Sequence, residues 1–273
     1  MDLILAAHGT RRPGGVAMIG DLAAQVSALL DHRVQVAFVD VLGPTPGEVL
    51  SRTADTGRPA VVVPAFLSRG YHVRTDVPAH VTASRHPNVT VSPALGPSGE
   101  IARLVADQLT QSGWRPGDSV ILAAAGTTDY RARADLHVTA TTLSALVGSR
   151  VRLGFAATGE PSVADAVAAA RRGGARRVVV ASYLLADGLF QQRLLAGGAD
   201  AVSQPLGTHP GLARLIANRF RRTAPGLAPV ATRHASRRPS RRRTQAPHAL
   251  SNSVSAMFSR PAGVTRHADA RDA

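Results

Sequence analysis

Residues 61–78 read VVVPAFLSRGYHVRTDVP, and the fold is decided there. Val61, Val62 and Val63 form a short β-branched run of the kind that fills a buried strand. Pro64 ends regular pairing soon afterwards. A loop with Gly70 follows, carrying a lone histidine, His72, between Arg69 and Arg74. A buried strand running into a glycine-bearing loop is how an open α/β sheet presents reactive side chains, because ligands sit outside the carboxyl ends of its strands.

Outward from this stretch, strand and helix signals alternate. Strands are predicted at 2–7, 34–41, 61–64 and 89–91. Helices are predicted at 16–30, from Pro44 and Pro46 to Leu50, at 74–84 and at 96–109. Four strand–helix units in series imply a parallel sheet covered on both faces. A turn-rich linker at 113–117 (GWRPG) separates them from a second series. That series has strands at 119–125, 151–157, 177–181 and 201–202, with helices at 129–147, 161–170, 187–195 and 211–220.

The two series are copies. LILAAHGT (3–10) matches VILAAAGT (120–127) at an offset of 117, and VQVAF (34–38) matches VRLGF (151–155) at the same offset. VVVPAFL (61–67) matches VVVASYL (178–184), again at 117, with one extra loop residue then aligning Gly70 with Gly188. LGPSGEIARLVA (95–106) matches LGTHPGLARLIA (206–217). The predicted fold is therefore α/β, with two tandem duplicated domains, each a four-stranded parallel sheet flanked by helices. The expected boundaries are 1–112 and 118–222, with a basic tail over 223–273.

The duplication is an internal control on function. His8 matches Ala125, Asp40 matches Ala157, and His72 matches Phe190. Three ionisable residues at the ends of successive strands become apolar in the other copy, so the scaffold does not require them. Taken singly, a histidine after a strand is an ordinary hydrogen-bonded loop residue, and Asp40 before two prolines an ordinary turn residue. The comparison moves His8 and His72 to candidate active-site residues and leaves Asp40 evenly balanced. Imidazole suits Fe, Co, Ni, Cu and Zn, and it titrates near neutral pH, which suits proton abstraction. Arg11, Arg12, Arg69 and Arg74 flank the histidines and point to an anionic substrate.

Composition narrows the chemistry. The 273 residues include no cysteine, which excludes disulfides, thiolate metal sites and a cysteine nucleophile. Hydrophobic residues make up 44% but aromatics only 4%, so Ala, Val and Leu must pack the core. No run reaches the roughly 20 apolar residues of a membrane span. The N-terminus has no basic segment ahead of its apolar stretch, so a cytoplasmic protein without a membrane partner is expected. The net charge of +14 is uneven: from Arg221 onward there are 11 Arg against 2 Asp, a net +9. The stretch from about Ala224, with SRRPSRRR at 236–243, lacks periodicity and reads as disordered. No nucleic acid is expected on the folded part.

LAAHGT, Phe38-Val39-Asp40 and PAFLSRGYHVRTDVP resemble the sirohydrochlorin chelatases. These are class II chelatases related to the cobaltochelatases and ferrochelatases of cobalamin and sirohaem synthesis. The resemblance covers about residues 1–220, in the long form that carries two domains in one chain. It implies insertion of a divalent metal, Co²⁺ or Fe²⁺, into an anionic tetrapyrrole without a nucleotide, and no GxxxxGK[ST] loop is present. It further implies that His8 and His72 bind the metal, take pyrrole protons, or both. Asp40 stands where the family usually has Glu. The arginines would meet the acetate and propionate arms, and Phe190 would belong to an apolar opposite wall that holds the macrocycle. One catalytic set per chain, and a monomer, follow from the duplication. A non-catalytic tetrapyrrole or metal carrier on the same fold remains open. A histidine phosphatase is disfavoured because Ala7, not Arg, precedes His8.

Overall fold

Strand β1 (Asp2–Ala7) is buried along its whole length, as a strand must be when sheet neighbours lie on both sides and helices on both faces. It pairs in parallel with β2 (Val34–Phe38) and β3 (Ala60–Pro64), and β3 pairs with β4 (Val89–Val91). The sheet order is β2-β1-β3-β4. The second copy repeats it as β6-β5-β7-β8, from β5 (Ser119–Gly126), β6 (Arg152–Thr158), β7 (Val178–Tyr183) and β8 (Ala201–Val202), all parallel. These features come from a computed structural model that describes residues 1–224, Gly226 and Leu227. Of the tail predicted over 223–273, Thr223 still belongs to the last helix, and residue 225 and residues 228–273 lie outside the described residues.

The helices are α1 (Pro13–Leu30), α2 (Pro46–Ser51), α3 (Val77–Ser84), α4 (Gly99–Gln111), α5 (Tyr130–Val147), α6 (Val163–Arg172), α7 (Leu189–Leu195) and α8 (Pro210–Thr223). Scaffold details recur at the 117 spacing. Ser27 and Ser144 each donate to the carbonyl four residues back, and each accepts from an amide at the entry to the next strand, Val34 at the start of β2 or Val151 just ahead of β6. Helix α1 is long and apolar enough to cross a membrane by length and composition. Here it buries Ile19, Leu22, Ala23, Val26 and Leu30 and packs on α8.

The last helix of each copy crosses over: α4 packs on α5 and β7, while α8 packs on α1 and β3. A central core is therefore shared, with Leu3, Leu5 and Val63 of one copy in the same cluster as Val120, Leu122 and Val179 of the other. Two outer cores, around Val62 with Val77 and around Val180 with Leu194, belong to one copy each. The described residues form one compact unit.

The ladders correct one alignment made from sequence. Leu3 lies opposite Val61, whereas Val120, its counterpart, lies opposite Val179. Val61 is thus equivalent to Val179 at an offset of 118. Two further pairs agree: Ser92 N–H donates to Val62 O and Ser203 N–H to Val180 O. The extra residue lies ahead of β7, not in the loop after it. Repeated valines at 61–63 and 178–180 let the sequence slide by one without penalty. His72 still aligns with Phe190, but Tyr183 is the counterpart of Ala65.

Candidate functional site

Strand β1 ends at Ala7, and Gly9 then lets the chain pass against the end of β2. Its φ is +93°, and a Cβ there would stand 2.2 Å from the Asp40 carbonyl oxygen, so only glycine fits. Gly126 does the same work in the second copy, with φ +106° and a hypothetical Cβ 1.9 Å from Thr158 O. Strand β6 carries a bulge here. Thr158, not Ala157, therefore occupies the place of Asp40 beside the glycine.

Asp40 sits in a tight three-residue turn. Its amide donates to His8 O at 3.2 Å, and Leu42 N–H donates back to Asp40 O at 2.8 Å. Val41 between them has φ +70°, a strained conformation for a β-branched residue. Val41 N–H donates to Asp40 Oδ1 at 2.7 Å, leaving the carboxylate exposed.

His72 was predicted in a loop. It instead opens a single π-helical turn, His72–Asp76, which runs directly into α3. In that turn, side chains four apart meet, and His72 Nδ1 lies 2.5 Å from Asp76 Oδ2. A carboxylate can only accept, so Nδ1 carries the proton and Nε2 keeps its lone pair when the ring is neutral. His8 Nδ1 lies 3.1 Å from Gly9 O, which fixes the same tautomer. The two imidazoles meet edge to face, their centroids 4.6 Å apart, and Phe66 stacks on His72 at 5.8 Å.

Both rings line a cavity of about 510 Å³ between the copies, within the usual range for ligand pockets. One wall carries His8, Phe66, Tyr71 and His72. The opposite wall carries Ala125, Ala157, Leu184, Leu185 and Phe190. The candidate residues divide accordingly. His8, His72 and Phe190 line the cavity, and Asp40 stands outside its lining. Arg11 and Arg12 lie exposed beside the lining residues Thr10 and Gly15, without an ion pair among the described residues. Arg12 Cδ comes within 3.8 Å of the position a Cβ on Gly188 would occupy, across the mouth. Arg69 and Arg74 are held elsewhere, by Asp135 of α5 and by Asp129 at its N-cap. Among the described residues no group of three or more His, Asp or Glu is placed to hold a metal ion. What the arrangement offers is two adjacent imidazoles on one wall of the cavity, each with Nδ1 already hydrogen-bonded.

Asp76 escaped the sequence reading, although the duplication could have found it. At the 118 spacing that aligns His72 with Phe190, Asp76 aligns with Leu194, which is buried. The same ionisable-to-apolar criterion applies. Asp135 meets it too, since Met18 is its counterpart at the 117 spacing, whereas Asp129 faces Arg12 and does not; neither spacing reveals the arginine that each one pairs with.

The family model CbiX matches residues 2–112 and again residues 119–223. Among curated proteins, the chain is 24% identical over 239 residues to a sirohydrochlorin ferrochelatase of Priestia megaterium, covering 81% of this chain and 90% of that one. It is 33% identical over 78 residues to a sirohydrochlorin cobaltochelatase of Methanopyrus kandleri, covering 28% of this chain and 54% of that one. The match thus spans about half the length of that relative. Among solved structures, SirB from Bacillus subtilis with Fe³⁺ superposes with a TM-score of 0.70 at 21% identity, covering 82% of this chain and 96% of that one. That likeness speaks to the fold. With one family model matched twice, once on each sheet and its helices, the chain belongs to the CbiX family, the sirohydrochlorin chelatase family its motifs resemble.

Proposed function

We propose that the protein inserts a divalent metal, cobalt or iron, into sirohydrochlorin at the cavity lined by His8 and His72. The observation that carries this reading is the pair of imidazoles, with Nδ1 engaged on both rings and Nε2 free, on one wall of a cavity whose other wall is apolar. The relatives are named as cobaltochelatase and ferrochelatase, and a B. subtilis SirB structure contains cobalt. These names support the substrate class.

The chemistry follows from the residues. Two nitrogens that share one metal at about 2.0–2.1 Å each must lie within about 4.2 Å of one another, which edge-to-face rings at this spacing permit. The incoming ion binds His8 Nε2 and His72 Nε2 and keeps water on its other positions. Asp76, behind His72, fixes the ring orientation and raises the donor strength of Nε2. The macrocycle lies against Phe190 and Leu184, and its carboxylate arms reach Arg11 and Arg12 at the mouth. As the metal passes to the four pyrrole nitrogens, it releases both imidazoles. The two expelled N–H protons then move to the vacated Nε2 atoms and on to water. Metal in, two protons out, balances without nucleotide or redox partner. Asp40, at the edge of His8, would steer the hydrated cation.

The test is an anaerobic spectroscopic assay of sirohydrochlorin with Co²⁺ or Fe²⁺. Conversion above the spontaneous rate, lost in a His8→Ala/His72→Ala variant, is the expected result, and kcat/KM ranks the metals. Tetrapyrrole binding without acceleration by any metal would overturn the reading and leave a carrier.

A further inference from the structure

The duplicated fold has two pseudo-equivalent seams, where the loop after the third strand of one copy meets the first helix of the other. They are built differently. On the first seam, the His72 loop is clamped to the second copy. Asp135, on α5, is 1% exposed. It accepts from the Arg69 backbone amide at 2.7 Å, from Arg69 Nε at 3.1 Å and from Arg69 Nη2 at 2.5 Å. Asp129, at the N-cap of α5, pairs with Arg74. Tyr183 donates its hydroxyl proton to Leu67 O at 2.8 Å.

On the other seam, every partner is changed. Asp135 is replaced by Met18, Asp129 by Arg12, and Tyr183 by Ala65, while Arg69 gives way to Asp187 and Arg74 to Gln192. Among the described residues, no ion pair crosses there. Both α1 and α5 are helices of 18 residues in a common register, so the clamp is not a requirement of helix packing. It tracks the loop that carries the histidine. A buried carboxylate that receives a main-chain amide together with a guanidinium fork holds backbone position, not merely charge.

We infer that Asp135 is a positioning residue for His72, with Asp129 and Tyr183 in support. The copy that lost the histidines supplies the anchor for the one that kept them. The loop from Leu67 to Arg74 is held by three side chains of the second copy, and His72 points at His8 because of it. This deepens the chelatase reading: its Co²⁺ and turnover readouts rest on that reading, and its exchange readout does not.

The experiment compares wild type, Asp135→Asn and Arg69→Ala. Arg69→Ala removes the guanidinium but leaves the loop amide on Asp135, so it covers a failure of Asp135→Asn to fold. Amide hydrogen exchange over residues 67–76 is measured first, because it needs no substrate and no activity. Exchange there should rise by at least tenfold in a variant whose α1 and β1 amides are unchanged. The visible spectrum of bound Co²⁺, with no tetrapyrrole present, should broaden and the affinity should fall. In turnover, kcat should drop at least tenfold with KM for the tetrapyrrole within about threefold. Unchanged loop exchange together with a wild-type Co²⁺ spectrum in folded variants would overturn the inference. A wild-type protein that inserts no metal would instead overturn the chelatase reading, and the exchange result would still judge the clamp.

Discussion

Replacing Asp76 separates a carboxylate that tunes a metal-binding histidine from one that merely caps a turn. The His72 Nδ1 to Asp76 Oδ2 distance is 2.5 Å, and the two side chains are 31% and 25% exposed. A hydrogen bond to a charged group contributes about 1.5–3 kcal/mol when well desolvated. Solvent reaches a quarter to a third of this pair, so screening cuts the value to about half, or roughly 0.8–1.5 kcal/mol. At about 1.4 kcal/mol per factor of ten, Asp76→Ala should weaken Co²⁺ binding about four- to twelvefold. That sits at the lower edge of the 10–100-fold cost usual for a partner behind a metal ligand. Asp76→Asn can still accept from Nδ1–H through its amide oxygen, so it should lose less than Asp76→Ala. The assay is titration with Co²⁺ alone, followed by its visible absorption, with calorimetry confirming a folded protein. Asp76→Ala binding Co²⁺ within twofold of wild type, while His72→Ala has lost binding, would refute the reasoning.

Tyr183→Phe removes a buried hydroxyl that donates to Leu67 O, at a cost of about 1–2 kcal/mol. Calorimetry should show Tm lower by about 2–8 °C for a protein of this size. Gly9→Ala and Gly126→Ala should each destabilise by more than about 2 kcal/mol in denaturant titrations, because both impose a Cβ on a neighbouring carbonyl. A marked difference between them would mean that one copy can relax. The Asp129 carboxyl lies below its usual range: its desolvation opposes ionisation, but the Arg74 side chain and the amides of Arg131 and Ala132 outweigh it. A depressed carboxyl stabilises the fold above its unfolded pKa, near 3.9. The Tm advantage of wild type over Asp129→Asn should therefore be complete at pH 7 and shrink as pH falls below about 4.

The alternation of strands and helices, the duplication, and the two histidines were legible because each leaves a local or periodic trace. Apolar runs mark β1, β3, β5 and β7, and a fixed spacing marks the copies. The slip at β7 was not legible, since three valines in a row fit either register and only ladder hydrogen bonds decide between them. The His72–Asp76 pair was hidden because the segment around Gly70 reads as a loop, whereas contact across four residues needs a helical turn. The roles of Arg69 and Arg74 depended on α5, some 60 residues away in sequence, and no local pattern reports such a partner. A cation beside a candidate site looks the same whether it faces the ligand or a distant acid.

Fusing two copies into one chain breaks a symmetry that a pair of identical chains could not escape. A twofold axis would place every imidazole opposite another imidazole, and a planar ring between them would have no preferred face. Here the facing positions are Ala125 and Phe190, so the cavity has a polarity. On the proposed chelatase reading, this polarity makes the route one-way: metal from one side, hydrocarbon support from the other. Each wall can then change without its mirror image changing too, which lets cation choice and ring recognition drift independently under selection.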